Sequence, residues 1–435
     1  MLLNKKGVIL VATLIVMAVV LSIGAGYFSY VVYEKKSSDR YLGIIKSFYI
    51  AEAGLYKSLV NLRNHSSGNI SESFGGGDYT VNVVDLGGYV YRIDSTGRAK
   101  NIQGNVLATR NLSIYVKDTA FNNYSYFTNN EYFTQCWGWW CWQTPVWFIT
   151  GDVLEGPVFT NSEFHISGDP EFYGQVRSAS DEIIYMNGGP PNDNPYFDPS
   201  YNPNPLLGVS PINMPSFDSP NLQDLKSEGL NLVGDTTIVF KDDGTMDVTN
   251  TANGWVNHNM PLPSNNGIYI DGGNLYVSGI VDGEVTLAAG TDTNGDKGNV
   301  VVTDNLRFKD RYNEGILRQD PMLPEDSSDY VGVIAEKNVI VSKDAPYDLE
   351  IDASIMALGD SFIVERWWDT DYNKGTLTVL GGIIQDERGP VGTFSGGTKV
   401  SGYSKHYIYD ERLSSKSLAY FPTTGEYRVI SWRKE

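Results

Sequence analysis

Cysteine and histidine are scarce in this chain. Its 435 residues include two cysteines and four histidines. A closed zinc site needs four Cys or His ligands, and none of His65, His165, His258 and His406 lies near the cysteines in sequence. Basic charge is thin too, with Lys+Arg at 33 against Asp+Glu at 52, for a net charge of −19. Adjacent lysines occur only at Lys5-Lys6 and Lys35-Lys36. A phosphate-binding surface needs clustered Lys and Arg to displace counterions, so nucleic acid is excluded as a partner. No Gly-x-Ser-x-Gly, Gly-x-x-x-x-Gly-Lys or His-Glu-x-x-His occurs, so the expectation is a protein without catalytic residues or cofactor. Charged residues make up 20% of the chain while Gly reaches 45 and Tyr 28, a balance that favours β structure with many turns. The length suggests two or three domains.

What the chain does have is a long uncharged run. Val8 to Tyr33 contains no charged residue, and a bilayer span needs roughly 20 apolar residues. Lys5 and Lys6 precede it, and Glu34, Lys35 and Lys36 follow. The positive-inside rule then puts the N-terminus in the cytoplasm and everything after Tyr33 outside. A cleaved secretory signal is the competing reading. Its apolar core is usually about 7–15 residues and ends at a small-x-small site, whereas Gly24-Ala25-Gly26 lies inside this run. Downstream, Leu42, Ile45, Tyr49, Ala53 and Tyr56, with Ile44, Phe48, Leu55, Leu59 and Leu62 beside them, recur at three- and four-residue steps, which predicts an amphipathic helix with a wide apolar face. Three alternating segments follow, Asp78 to Val84, Tyr89 to Ala99 and Val106 to Lys117. They read as a small antiparallel sheet packed on that helix.

Lys5-Lys6-Gly7 before a hydrophobic helix resembles the leader of type IV pilins, which prepilin peptidase cuts after the glycine to leave, here, Val8 first. Phe48-Tyr49-Ile50-Ala51-Glu52-Ala53-Gly54-Leu55 and Tyr91-Arg92-Ile93-Asp94-Ser95-Thr96-Gly97-Arg98-Ala99 are similar to stretches of PilX-like minor pilins. The fifth residue after the cut would be Ala12 where major pilins carry Glu, which argues against the repeating subunit of a filament. The rest resembles an uncharacterised domain family that follows such N-termini, on Gly156-Pro157-Val158-Phe159-Thr160-Asn161, Gly381-Gly382-Ile383-Ile384-Gln385 and Arg388-Gly389-Pro390-Val391-Gly392 among others. The resemblance implies a minor pilin-like component of a type IV pilus or related secretion filament, at its tip or in its assembly. It also implies a membrane location before assembly. Its partners would be other pilins or pseudopilins through the helix, and prepilin peptidase.

The expected fold class is α+β: leader 1–7, helix 8–65, antiparallel sheet 66–118, and a large all-β domain 119–435. Nine prolines from Pro190 to Pro220 mark residues 189–220 as an extended surface loop, and Pro220 to Glu228 as a short helix with Asn221 a candidate cap. From Gly267 onward short strands alternate with Gly, Asp and Asn turns, the signature of a β-solenoid, with a β-sandwich as the alternative.

Several clusters invite a chemical reading. Cys136-Trp137-Gly138-Trp139-Trp140-Cys141-Trp142 holds four tryptophans, and in an exported domain Cys136 and Cys141 can close a small disulfide loop. Displayed, Trp137, Trp139, Trp140 and Trp142 would suit a glycan, a surface protein or lipid; the other reading packs them beneath the domain as a cap. Asp292, Asn294 and Asp296 offer oxygens at alternate positions as calcium loops do. Lys297 and Thr303 stand where such a loop needs Gly and an acid, so this segment and Asp369-Thr370-Asp371-Tyr372-Asn373 read first as hairpin turns. The alternative functions are a structural cell-envelope protein and a membrane-anchored polysaccharide-degrading β-helix enzyme. Asp242, Asp243, Asp282 and Glu284 are the acids to consider for the latter, although their spacing needs no explanation beyond turns. Arg388, Lys405, Asp410 and Arg412 read as a set that pairs internally.

Overall fold

The computed structural model describes residues 5–63, 68–87, 89–138, 140–312, 323–324, 326–395 and 398–434. The architecture is α+β, one long apolar N-terminal helix and a large, mostly β portion. The chain divides into one unit of residues 1–118 and 425–435 and a second of residues 119–424.

In the first unit, helix α1 (Lys5–Arg63) runs unbroken for 59 residues. Proline is absent from it, and nothing caps its passage from apolar to mixed sequence. From Ile9 to Tyr33 its side chains are exposed; among the described residues this is the one helix long and apolar enough to cross a membrane. Its second half packs on a five-stranded sheet. Strands β1 (Ile70–Phe74), β2 (Gly77–Asp85), β3 (Val90–Lys100) and β4 (Val106–Ala120) pair antiparallel in sequence order. The strand Thr423–Lys434 then closes the sheet on the far side of β4. The expected outer domain 119–435 therefore needs correcting, since its last strand belongs to the first sheet. Tyr427 on that strand packs edge-on against Tyr91, ring centres 5.8 Å apart.

The buried face of α1 takes in only part of the expected apolar face, with Leu55 and Leu62 in the core and Phe48 and Leu59 packed against it. Leu42, Ile45, Tyr49 and Tyr56 are exposed, while Gly43, Ser47, Ile50, Ala51, Gly54, Leu55, Ser58 and Leu62 face the sheet. Small residues decide this, because they let the helix backbone reach the strands. Ser95 Oγ donates to the Ala51 carbonyl at 2.7 Å. A Cβ on Gly97 would lie 2.2 Å from the Ser47 carbonyl oxygen.

The second unit is built from parallel ladders. The longest joins Leu230–Val233, Gly267–Asp271, Glu284–Ala289, Tyr330–Ala335, the end of Leu349–Ala357 and the end of Asn373–Glu387. It continues through β5 (Tyr126–Asn130), Val158–Thr160 and Val176–Ser178. Strands early in the sequence thus stack on a late one, with Tyr126 opposite Ile383 and Thr128 opposite Gln385. A second ladder runs through Thr236–Phe240, Leu275–Val281, Val300–Phe308, Val339–Val341 and Phe362–Val364. A third links the first halves of Leu349–Ala357 and Asn373–Glu387 to Thr398–Ile408 and on to Val153–Glu155. Successive strands of one ladder are separated by strands of the others, so the chain circulates among them.

Register explains the core. Leu230, Ile268, Leu287, Val333, Ile355, Ile383, Tyr126, Val158 and Val176 stand in one inward row. The alternate row from Tyr269 through Ala288, Ile334, Met356, Ile384 and Phe127 to Phe159 points outward yet is also buried. Helix α2 (Pro220–Glu228) covers part of it with Leu222 and Leu225, joined by Ile212 and Phe421. Parallel strands covered on both faces are characteristically apolar throughout. The cap of α2 is Ser219, with Pro220 in the first turn; Asn221, the expected cap, instead donates to the Phe421 carbonyl at 3.2 Å.

Candidate functional site

Where early strands meet late ones, the ladder row turns polar. Along the row Leu232, Ile270, Ala289, Ala335 and Ala357, the next members are Gln385, Thr128, Thr160 and Ser178, all buried. Glu131, fully buried just after β5, accepts from Arg388 Nη1 at 2.9 Å, from Tyr126 at 3.4 Å and from the Thr128 hydroxyl. Arg388 also donates to the Val146 and Trp147 carbonyls at 3.1 and 3.3 Å and stacks 3.5 Å over the Phe148 ring. Beside it Lys405 Nζ meets Asp152 at 2.6 Å. Burial works against the Arg388 charge, but the fields of Tyr126, Glu131 and Asp152 outweigh it and hold the guanidinium protonated. Burial pushes the Lys405 ammonium down, with Asp152 opposing. Burial likewise pushes His165 down against the pull of Glu131.

The expected internal set therefore splits. Arg412 pairs with Asp410 at 2.7 Å as foreseen, while Arg388 and Lys405 find their carboxylates in the early part of the chain, at Glu131 and Asp152 between strands. Each pair closes with no surplus charge.

Next to these pairs lies a half-open cavity of about 710 Å³. Phe133, Trp147, Trp367 and Phe394 contribute aromatic walls; Gln385, Arg388, Lys405 and Tyr407 line it more deeply. Phe133 meets Trp367 edge-on, ring centres 5.9 Å apart. Neither Trp367 nor Phe133 was singled out by sequence, although Trp367-Trp368 was a visible aromatic pair.

One wall rises from the hairpin of β6 (Tyr132–Trp137) and β7 (Trp140–Pro145), paired from Tyr132 opposite Pro145 to Trp137 opposite Trp140. Cys136 and Cys141 face each other in it and are joined by a disulfide. The turn contains Gly138 at a φ of 61°, a left-handed conformation that glycine adopts without strain. Trp140 is 80% exposed and Trp142 49%, so for these two the buried-cap reading fails: a two-stranded arm has no layer above it to cover them. Trp137 lies on β6, its side chain outside the described residues; Trp139 lies outside them altogether.

The remaining candidates are spread through the fold. Gly7 and Val8 are part of the α1 backbone. Asp292 Oδ1 accepts the amides of Asp296 and Lys297 at 2.8 and 3.4 Å, closing the turn that includes Asn294. That turn joins Glu284–Ala289 to Val300–Phe308, which pair with other strands, so the hairpin expectation is corrected. The same holds for Asp369 to Asn373, where Asp369 accepts the Asp371 amide at 2.9 Å between strands of separate ladders. Of the acids considered for glycan cleavage, Asp282 pairs with Lys309 at 2.6 Å and Glu284 with Lys416 at 2.8 Å. Asp243 accepts from the Thr245 hydroxyl at 2.6 Å.

Among known proteins, a family model described as a domain of unknown function (DUF4900) matches residues 88–180. That span covers β3 to β7 and includes Glu131 and Asp152, which lie between early strands. No curated protein and no solved structure matches the chain.

Proposed function

We propose that this protein is a membrane-anchored, pilin-like surface component whose β-rich unit serves as a binding module and not as an enzyme. One observation carries the reading: α1 leaves its first half bare and apolar while burying its second half on an antiparallel sheet. In water a bare apolar surface of that size is strongly unfavourable. Lipid before assembly, and the helices of neighbouring subunits afterwards, would cover it. The exposed Leu42, Ile45, Tyr49 and Tyr56 extend the same apolar character along the packed half. Lys5 and Lys6 keep the N-terminal end at the cytoplasmic face, and the unit of residues 119–424 would then lie outside, where the Cys136–Cys141 disulfide persists. A β-solenoid is the reading of that unit which the ladders favour. Each ladder gains one parallel strand per circuit, and a row of side-chain amides follows the turns: Asn299 takes the Asn338 amide at 3.2 Å, and Asn338 the Ser361 amide at 3.1 Å. Beside the cavity Arg388 and Lys405 are paired with Glu131 and Asp152, which suits a scaffold that holds a ligand rather than one that moves protons.

N-terminal sequencing of the protein from its native membrane, with and without prepilin peptidase, tests this reading. A peptidase-dependent start at Val8 supports it; Met1 retained in both cases removes the pilin assignment.

A further inference from the structure

The cavity beside the seam of early and late strands has a composition that selects its ligand. Its two cations, Arg388 and Lys405, are already matched by the buried carboxylates of Glu131 and Asp152. An anionic ligand would compete with these carboxylates for the same donors and be repelled by them. A cationic ligand would meet Arg388 and Lys405 directly. Removing one partner from such a buried pair is strongly unfavourable, so the ligand that fits best leaves both pairs intact and carries no charge. Around them the cavity offers neutral amides and hydroxyls from Gln135, Thr144, Thr150 and Asn187, interleaved with Phe133, Trp147 and Trp367. Flat apolar faces beside neutral donors and acceptors are what a pyranose ring presents in return: C–H groups on its faces and hydroxyls around its edge. At about 710 Å³ the cavity falls within the usual range of small-molecule sites, about 300–1,000 Å³, and it is open on one side, so a chain longer than it could leave by the mouth.

We propose that this cavity binds a short neutral oligosaccharide, its ring faces against Phe133, Trp147 and Trp367 and its hydroxyls on the surrounding amides and hydroxyls. The disulfide-closed hairpin, with Phe133, Gln135 and Thr144 on its strands, is the wall that fixes the mouth. The proposal rests on the reading of this unit as a binding module and names the ligand class.

The test uses the full chain in lipid nanodiscs, because glycoside detergents carry the candidate ligand. Maltotriose, cellotriose, tri-N-acetylchitotriose and, as the charged control, trigalacturonic acid are titrated by calorimetry at up to millimolar concentration. At least one neutral trisaccharide is expected to saturate at one site, with trigalacturonic acid weaker. Trp367→Ala should weaken binding about tenfold, the loss of one aromatic platform. Trp140→Ala, at the exposed arm, should leave affinity within about twofold. Thermal melts matching the unsubstituted chain show that both variants fold, and Phe133→Leu supplies an independent change to the wall should Trp367→Ala melt early. Saturation by none of the neutral sugars, tighter binding of the acidic one, or unchanged affinity in both wall variants overturns the site. Cleavage of a bound trisaccharide would instead overturn the non-enzymatic reading alone, and an uncut Met1 would remove only the pilin assignment.

Discussion

Arg388 and Glu131 are 257 positions apart in sequence and 2.9 Å apart in space, and their energetics follow from that isolation. Replacing Arg388 by Met leaves a carboxylate buried without its counter-charge, which costs about 3–5 kcal/mol. Adding Glu131→Leu should recover most of the loss, because the desolvated charge is then gone too. Urea titrations of the two variants, followed by tryptophan fluorescence, measure the difference. Asp193 is a second such residue. Its fully buried carboxylate accepts the Gly168 and Asn187 amides at 2.7 and 2.6 Å and the Asn187 side chain at 2.8 Å. Burial alone would raise its pKa, but these donors together hold it below the usual 3.8. Because the folded value is depressed, its contribution to stability is present above 3.8 and fades as pH falls through the lower, folded value. Asp193→Ala should cost about 1–3 kcal/mol at neutral pH, and the gap to the unsubstituted chain should close in acid melts below that window.

Helix α1 and the sheet beneath it meet through glycine, alanine and serine, which makes their contact intolerant of added volume. A Cβ at Gly97 would fall 2.2 Å from the Ser47 carbonyl and 2.4 Å from the Ala51 amide nitrogen, both backbone atoms. Gly97→Ala should therefore destabilise the unit of residues 1–118 and 425–435 at or above the usual overpacking cost of about 1–3 kcal/mol, visible as an early loss of helical signal on heating. The same small residues hid part of this face from periodicity, which does pick out Leu55 and Leu62. Tyr49 and Tyr56 dominate an apolar count yet stay exposed, while Ser47 and Ser58 are buried. Strands β2 to β4 were legible because one face is wet and the side chains alternate. In the second unit both faces of the main ladder are covered, so alternation vanishes there. The spacing of its paired strands is also unequal, stepping from Thr286 to Gly332 and then from Gly332 to Ser354, which denies any fixed repeat. Of the candidate site, the Trp140 and Trp142 arm could be read locally. The cavity could not, since Glu131, Asp152, Trp367 and Arg388 meet only through parallel pairing of distant strands.

At the scale of the molecule, one chain combines a bare apolar helix with a large, acidic, turn-rich β unit, and the proposed location joins these facts. An anchor of this kind fixes which side of a membrane each half occupies, so sidedness is the property to measure. An Asn253→Cys variant places one thiol at an exposed turn of the second unit, while Cys136 and Cys141 are held in their disulfide. Intact cells are treated with a membrane-impermeant maleimide before lysis, and labelling is compared with that of lysed cells. Full labelling in intact cells is the predicted result, with the β unit outside and α1 in the membrane. Labelling that appears only after lysis would put the β unit in the cytoplasm and contradict the account.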